Sequence, residues 1–247
     1  RMKCARFDSR MNSMDASEYP PLPTVEEGTK ILIDPQVLHD ALQHVLFAVA
    51  TDNSRPVLTG VSVKFNGGTK VTFASADGFR LAVQEVDLVE IPLEHKDIII
   101  PGSALVEVSR LTSGQEEPVE IFIGENTILF RFRKVDLTTQ VISGSFPNYQ
   151  QLIPKRVETT VTSTMNTQDF LRAVRSVSVF AKDAANIIRV SAQNDSMRVS
   201  AKSEVGNNRS DFDAYLDGGA MKIAFNGAYL RDALSLLGNE KVSMETT

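Results

Sequence analysis

The sequence predicts an α+β protein made of antiparallel sheets with helices laid against them. A strand, a capping residue and an amphipathic helix follow one another in the same order four times, and after each of the first three helices the apolar residues alternate. Those alternating stretches are joined by short polar turns, which is the grammar of hairpins and not of βαβ crossovers.

The first copy, ILIDPQVLHDAL at residues 31–42, has Asp34 as N-cap and Pro35 at the first helical position, where a missing N–H costs nothing. The second, IIIPGSALVEVS, occupies residues 98–109. The third, TMNTQDFLRAV at 164–174, and the fourth, AFNGAYLRDAL at 224–234, use Asn166 and Asn226 as caps. Aligned on Asp34, Pro101, Asn166 and Asn226, the copies recur at intervals of 60 to 67 residues. Each has an apolar residue four places on, at Leu38, Leu105, Phe170 and Leu230, and a small or β-branched one three places later, at Ala41, Val108, Ala173 and Ala233. That regularity reads as a duplicated module. Val37, Leu38, Ala41 and Leu42 form the predicted apolar face of the first helix, Phe170, Ala173, Val174 and Val177 that of the third, and Tyr229, Leu230, Ala233 and Leu234 that of the fourth.

After the first helix, Val61, Val63 and Phe65 alternate up to Asn66-Gly67-Gly68, and Val71 and Phe73 alternate away. The same design uses Ile121 and Ile123, a turn at Gly124-Glu125-Asn126, then Ile128, Phe130 and Phe132. A third runs through Val190 and Ala192, a turn at Asn194-Asp195-Ser196, then Val199 and Ala201. Two proline-bearing linkers punctuate the chain. Residues 17–23 read as a rigid extended stretch, and residues 145–154 repeat its pattern of aromatic, Pro, spacer, Leu and Pro. Both precede a new module.

A chain of 247 residues, 42% hydrophobic and 23% charged, is an ordinary globular composition with room for about two domains. Its lone Cys4 excludes an internal disulfide framework and fits a reducing cytoplasm, and no apolar run reaches the length of a membrane span. The net charge of −5 argues against an ordinary DNA-binding domain, although distribution outweighs the total. Arg172, Arg175 and Lys182 fall opposite the apolar face of the third helix, as a solvated stripe or a surface facing phosphate. Arg110 and Arg231 hold comparable places on the second and fourth helices, beside Glu107 and Asp232.

Nothing in the sequence reads as catalysis. The histidines His39, His44 and His95 lack metal-ligand spacing and read as surface residues, phosphate-binding and nucleophile-elbow motifs are absent, and no cofactor or metal is expected. Adjacent acids such as Glu116-Glu117 lie in polar connecting stretches. A non-catalytic β-rich interaction module unrelated to DNA would account for the hairpins, but not for four capped helices each opening the same module.

Four segments in order carry a family resemblance: SRPVLTGV at 54–61, ASADGFRLA at 74–82, FPNY with IP at 146–154, and FNGAYL at 225–230. Together they resemble the bacterial sliding clamp family, the beta subunit of DNA polymerase III. The resemblance implies a DNA-clamp fold, each domain a duplicated helix-plus-strands module with helices inside and sheets outside. It implies a head-to-tail homodimer ring around duplex DNA, cytoplasmic and non-enzymatic, that tethers the replicative polymerase and also serves the clamp loader. Residues 1–23 would then end a first domain, 24–155 form the middle domain, and 156–247 belong to the third. A chain with only these parts is expected not to close a ring by itself.

Carried over by position, the family's partner-peptide cleft falls on Leu58, Gly78, Phe79, Arg80, Leu81, Pro147, Leu152, Asn226 and Tyr229. The expectation is an apolar floor from Leu58, Leu81, Pro147 and Leu152, with Arg80 and Asn226 as polar guides at the edge. Arg55, Arg110, Arg172, Arg175, Lys182 and Arg231 are the expected DNA-facing residues. Phe79 stands where the family often has His, and Gln151 where it often has a basic residue.

Overall fold

Among the described residues the four α-helices begin at their expected caps, and three of the caps act through the side chain. In the computed structural model, which describes residues 2–19, 28–65, 69–88, 95–182, 184–204 and 206–247, Asp34 accepts from the amides of Gln36 and Val37, Asn166 from Gln168 and Asp169, and Asn226 from Ala228 and Tyr229. At the second copy Pro101 stands at the cap without a side-chain bond.

The chain opens with a small ribbon of β1 (Met2–Cys4) and β2 (Phe7–Ser9), all of whose residues are exposed. Of the stretch at 17–23 expected to be extended, the first two residues instead lie in a 3-10 turn at Ala16–Glu18, because the Asp15 carboxylate accepts from the Ser17 amide and hydroxyl and draws the backbone round. The prolines of that linker lie outside the described residues. The first repeat follows as β3 (Thr29–Ile33), α1 (Pro35–Leu46), β4 (Gly60–Phe65), β5 (Lys70–Ala76) and β6 (Leu81–Asp87). The Asn66-Gly67-Gly68 turn also falls outside the described residues. The second repeat is β7 (Lys96–Pro101), α2 (Gly102–Thr112), β8 (Val119–Ile123), β9 (Thr127–Arg131) and β10 (Asp136–Gln140). The third is β11 (Val161–Asn166), α3 (Thr167–Ala181), β12 (Ile187–Gln193), β13 (Ser196–Ser203) and β14 (Gly206–Gly218). The fourth is β15 (Met221–Asn226), α4 (Gly227–Leu236) and β16 (Lys241–Thr246).

Among the described residues all pairings are antiparallel, and the opening strand of each repeat joins a strand of its neighbour. β3 pairs with β8 and β7 with β4, giving sheets in the order β10-β9-β8-β3 and β6-β5-β4-β7. In the second half β15 pairs with β12 and β11 with β16, and β14 also pairs with β11, so that six strands run β15-β12-β13-β14-β11-β16. The turn between β12 and β13 sets Asn194 and Asp195 at φ of 52° and 56°, the left-handed pair that a two-residue hairpin with primed twist demands.

Two separate clusters of buried side chains lie beneath the helices. Leu38, Leu42, Val45 and Leu105 pack on Val61, Val71, Ile123 and Phe130, whereas Phe170, Val174 and Val177 pack on Ile188, Val190, Met197 and Val199. Leu38, Leu105 and Phe170 are fully buried as expected, while Leu230 is half-buried. Val37, expected on the inner face, points outward, since Leu38, Ala41, Leu42 and Val45 already fill the stripe that the sheet can accept. His39 and His44 are half-buried and not free surface residues: the His39 ring contacts the Ser109 carbonyl and the Thr112 hydroxyl, and the His44 ring contacts Gln84.

The second linker includes a 3-10 turn at Tyr149–Leu152, pinned by a buried Tyr149. The Phe146 ring meets Tyr149 edge-on at 6.3 Å, and the Lys64 ammonium lies 5.9 Å from the Tyr149 centroid. Burial pushes the Tyr149 phenol above its ordinary value, and Asp97 and Glu85 add to the shift. The unfolded chain therefore loses this proton first. The stabilisation is complete below a pH of about 10 and is lost as pH rises through the higher folded value. Titrating the phenolate absorbance of the native protein should show a highest-pH step that Tyr149→Phe removes.

Candidate functional site

The turn between β5 and β6 is built around one carboxylate. Asp77 Oδ1 accepts from the amides of Phe79 and Arg80, and Asp77 Oδ2 accepts from Arg80 Nε at 2.9 Å. Gly78 takes a φ of +95°, a conformation that a side chain would strain, and the Arg55 guanidinium lies where its Cβ would stand. Arg55 also donates to the Asp77 carbonyl at 3.2 Å. The expected DNA-facing Arg55 is thus engaged with this turn and does not stand on a helix. The turn holds Phe79 in solvent, with 83% of its surface exposed.

Across from the turn stands α4. The Tyr229 ring lies 6.4 Å from that of Phe79, and the Arg80 guanidinium sits 4.4 Å from the Tyr229 centroid and 5.3 Å from that of Phe47 at the end of α1. Arg80 Nη1 donates to Asp232 at 3.1 Å. Its charge is therefore shared between Asp77 and Asp232, two partners that the sequence reading did not assign to it. Asn226 is likewise committed through its oxygen, which caps α4.

Phe79 and Arg80 are thus brought against Tyr229, with Gly78 and Leu81 beside them in the chain and Asn226 at the cap of the same helix. Leu58, buried in the 3-10 turn at Pro56–Thr59, donates its amide to the Arg55 carbonyl and so stands behind the same turn. The expected continuous apolar floor is only partly formed: Leu58 is buried and Leu81 half-buried, while Pro147 is exposed and Leu152 is 73% exposed. Sequence reasoning missed Asp77, Asp232 and Phe47. The Asp-Gly pair was a visible turn signal for Asp77, but nothing local to Asp232 or Phe47 marks a contact with Arg80.

The helices form one continuous layer in the spatial order α2-α1-α4-α3, with α1 touching α4. Most of its cations are paired: Arg110 with Glu107 at 2.6 Å, Arg172 with Asp169, and Arg231 with Asp232 at 3.2 Å. Among the described residues no acid pairs with Arg175 or with Lys182, which follows the last residue of α3. No cluster of metal-ligating side chains occurs among the described residues, and no helix there is long and apolar enough to cross a membrane.

Residues 32–148 match the family model described as the central domain of the DNA polymerase III beta subunit, and residues 150–247 match that of its C-terminal domain. The beta sliding clamp of Staphylococcus aureus is 32% identical over 238 residues, and that of Staphylococcus epidermidis 33%. Each alignment covers 95% of this chain, which spans 62% of the length of these relatives. The crystal structure of the DNA polymerase sliding clamp from Bacillus subtilis superposes with a TM-score of 0.90 at 30% identity, covering 95% of this chain and 62% of that one. The beta chain from Streptococcus pneumoniae gives a TM-score of 0.86 at 26% identity, covering 94% and 62%. With both halves matched in order and the fold shared, the chain belongs to the DNA polymerase III beta subunit family of sliding clamps.

Proposed function

We propose that this chain supplies two domains of a non-catalytic processivity clamp, with boundaries at 24–155 and 156–247, and that residues 1–23 end a preceding domain. In this reading the full-length protein works in the cytoplasm as a head-to-tail homodimer around duplex DNA. It slides, and it tethers the replicative polymerase, the clamp loader and other partners through an extended peptide held in the cleft. The observation that carries the reading is the unbroken helix layer, which runs across both matched regions with the sheets on its other side. Such a wall needs no base contacts, and largely neutralised cations leave phosphates loosely held.

The test is retention of the full-length protein on nicked circular duplex DNA: the clamp should stay on the circle and leave when the circle is cut. Arg175→Glu combined with Lys182→Glu should lower the salt dependence of DNA binding by about 1 to 2 in logarithmic slope. Arg189→Glu, on the outward face of β12, should leave it unchanged. An unaltered slope in the double variant would remove the helix layer as the DNA face.

A further inference from the structure

We propose that Asp232 is a positioning residue which, through Arg80, latches the two domains together and fixes the width of the peptide cleft. The cleft part of this inference rests on the reading above; the latch stands on geometry alone. Arg80 belongs to the β5–β6 turn, whereas Asp232 lies on α4, 152 residues further along the chain. Two different edges of one planar guanidinium are taken by carboxylates from the two sides, Nε by Asp77 and Nη1 by Asp232. A planar fork held at two edges constrains angle as well as distance, which a single point charge would not.

The rings reinforce the same joint. Tyr229, one helical turn before Asp232, carries the guanidinium on its ring and meets Phe79, while Phe47 brings the end of α1 to the same cation. Asp232 is itself held, since its second oxygen accepts from Arg231 Nη2 at 3.2 Å. The Arg80 and Asp232 side chains retain 20% and 34% of their exposure, so bulk water screens the pair only in part.

Two of the proposed cleft walls are the elements so joined: Gly78, Phe79 and Leu81 on the turn, Asn226 and Tyr229 on α4. A latched joint presents a peptide with a gap already set to width, and no affinity is spent on ordering the walls. Removing Asp232 leaves Arg80 paired with Asp77. The turn therefore keeps its fold, and the link can be cut without burying an orphan charge.

The experiment uses the full-length protein with its native cysteines replaced, Cys4→Ser among them, and spin labels on cysteines introduced at Glu116 and Lys202, both exposed, diluted with unlabelled protein so that only intrachain pairs are read. Asp232→Asn should broaden the interdomain distance distribution and weaken a labelled Leu- and Phe-containing peptide about five-fold, with circular dichroism unchanged. Asp232→Glu, which keeps the charge, should recover most of both effects. A distribution unchanged in Asp232→Asn would overturn the latch. A latch that opens while peptide affinity stays the same would overturn the positioning role. A native protein that ignores the peptide would overturn the cleft reading, with the latch then decided by the distances.

Discussion

Leu42→Ala is expected to remove about 2–5 kcal/mol from the unit built on α1 and to leave the unit built on α3 close to its native stability. Leu42 has no exposed surface, and the buried cluster it belongs to rests on β4 and β5, interior strands paired on both sides that cannot readily move in to fill the gap. The loss therefore combines the transfer term with a cavity term. The second cluster shares no residue with the first, so the damage can reach it only through the narrow joint between α1 and α4. Phe170→Ala makes the reciprocal case, with about 3–5 kcal/mol expected on the α3 side. Calorimetry should resolve two transitions, each variant lowering one. A single transition lowered equally by both would mean that the joint at Arg80 couples the units far more strongly than one partly exposed ion pair and two rings can.

Leu152→Asp is expected to weaken the Leu- and Phe-containing peptide by about thirty-fold or more, the scale of an interface hot spot of about 2 kcal/mol. Leu152 is 73% exposed, so the substitution changes no core packing, and thermal unfolding should not move. An apolar side chain held in water on a turn pinned by Tyr149 is ready to be covered, and a carboxylate in its place would have to be desolvated without a partner. Val157→Asp provides the control. Val157 is 90% exposed on the next 3-10 turn, outside the proposed cleft, and its variant should bind as the native protein does. Equal affinity for Leu152→Asp and native protein, measured by fluorescence anisotropy, would withdraw Leu152 from the cleft.

Local physics made most of the fold legible. A cap needs only its own side chain and the next turn, so Asp34, Asn166 and Asn226 could be read directly. The Asn194-Asp195 turn and the alternating strands around it could be read for the same reason. Periodicity was less decisive about facing. It grouped Val37 with Leu38 because their positions differ by one helical step, and only the width of the available sheet separates them. At the linkers the side chains next to the prolines shape the described backbone, Asp15 through its bonds to Ser17 and Tyr149 through its burial.

The candidate site was legible through family resemblance more than through its own chemistry. Its turn residues and α4 residues do come together, but the charge that joins them does not show in a linear reading. Arg80 has an acid three places before it and another 152 places after, and only the second determines how the two halves meet. Arg110 and Arg172 differ, because their acids, Glu107 and Asp169, lie three places before them and are visible in the sequence. As isolated cations they suggest a phosphate-binding stripe, yet a neighbouring acid on the same helix takes up each one.

The exchange of opening strands between adjoining repeats sets a minimum size for anything cut from this protein. A lone repeat would carry a first strand with no hairpin to receive it and a hairpin with one side bare. A gene fragment encoding it could complete a sheet only by meeting a twin, so the indivisible heritable unit here is the pair.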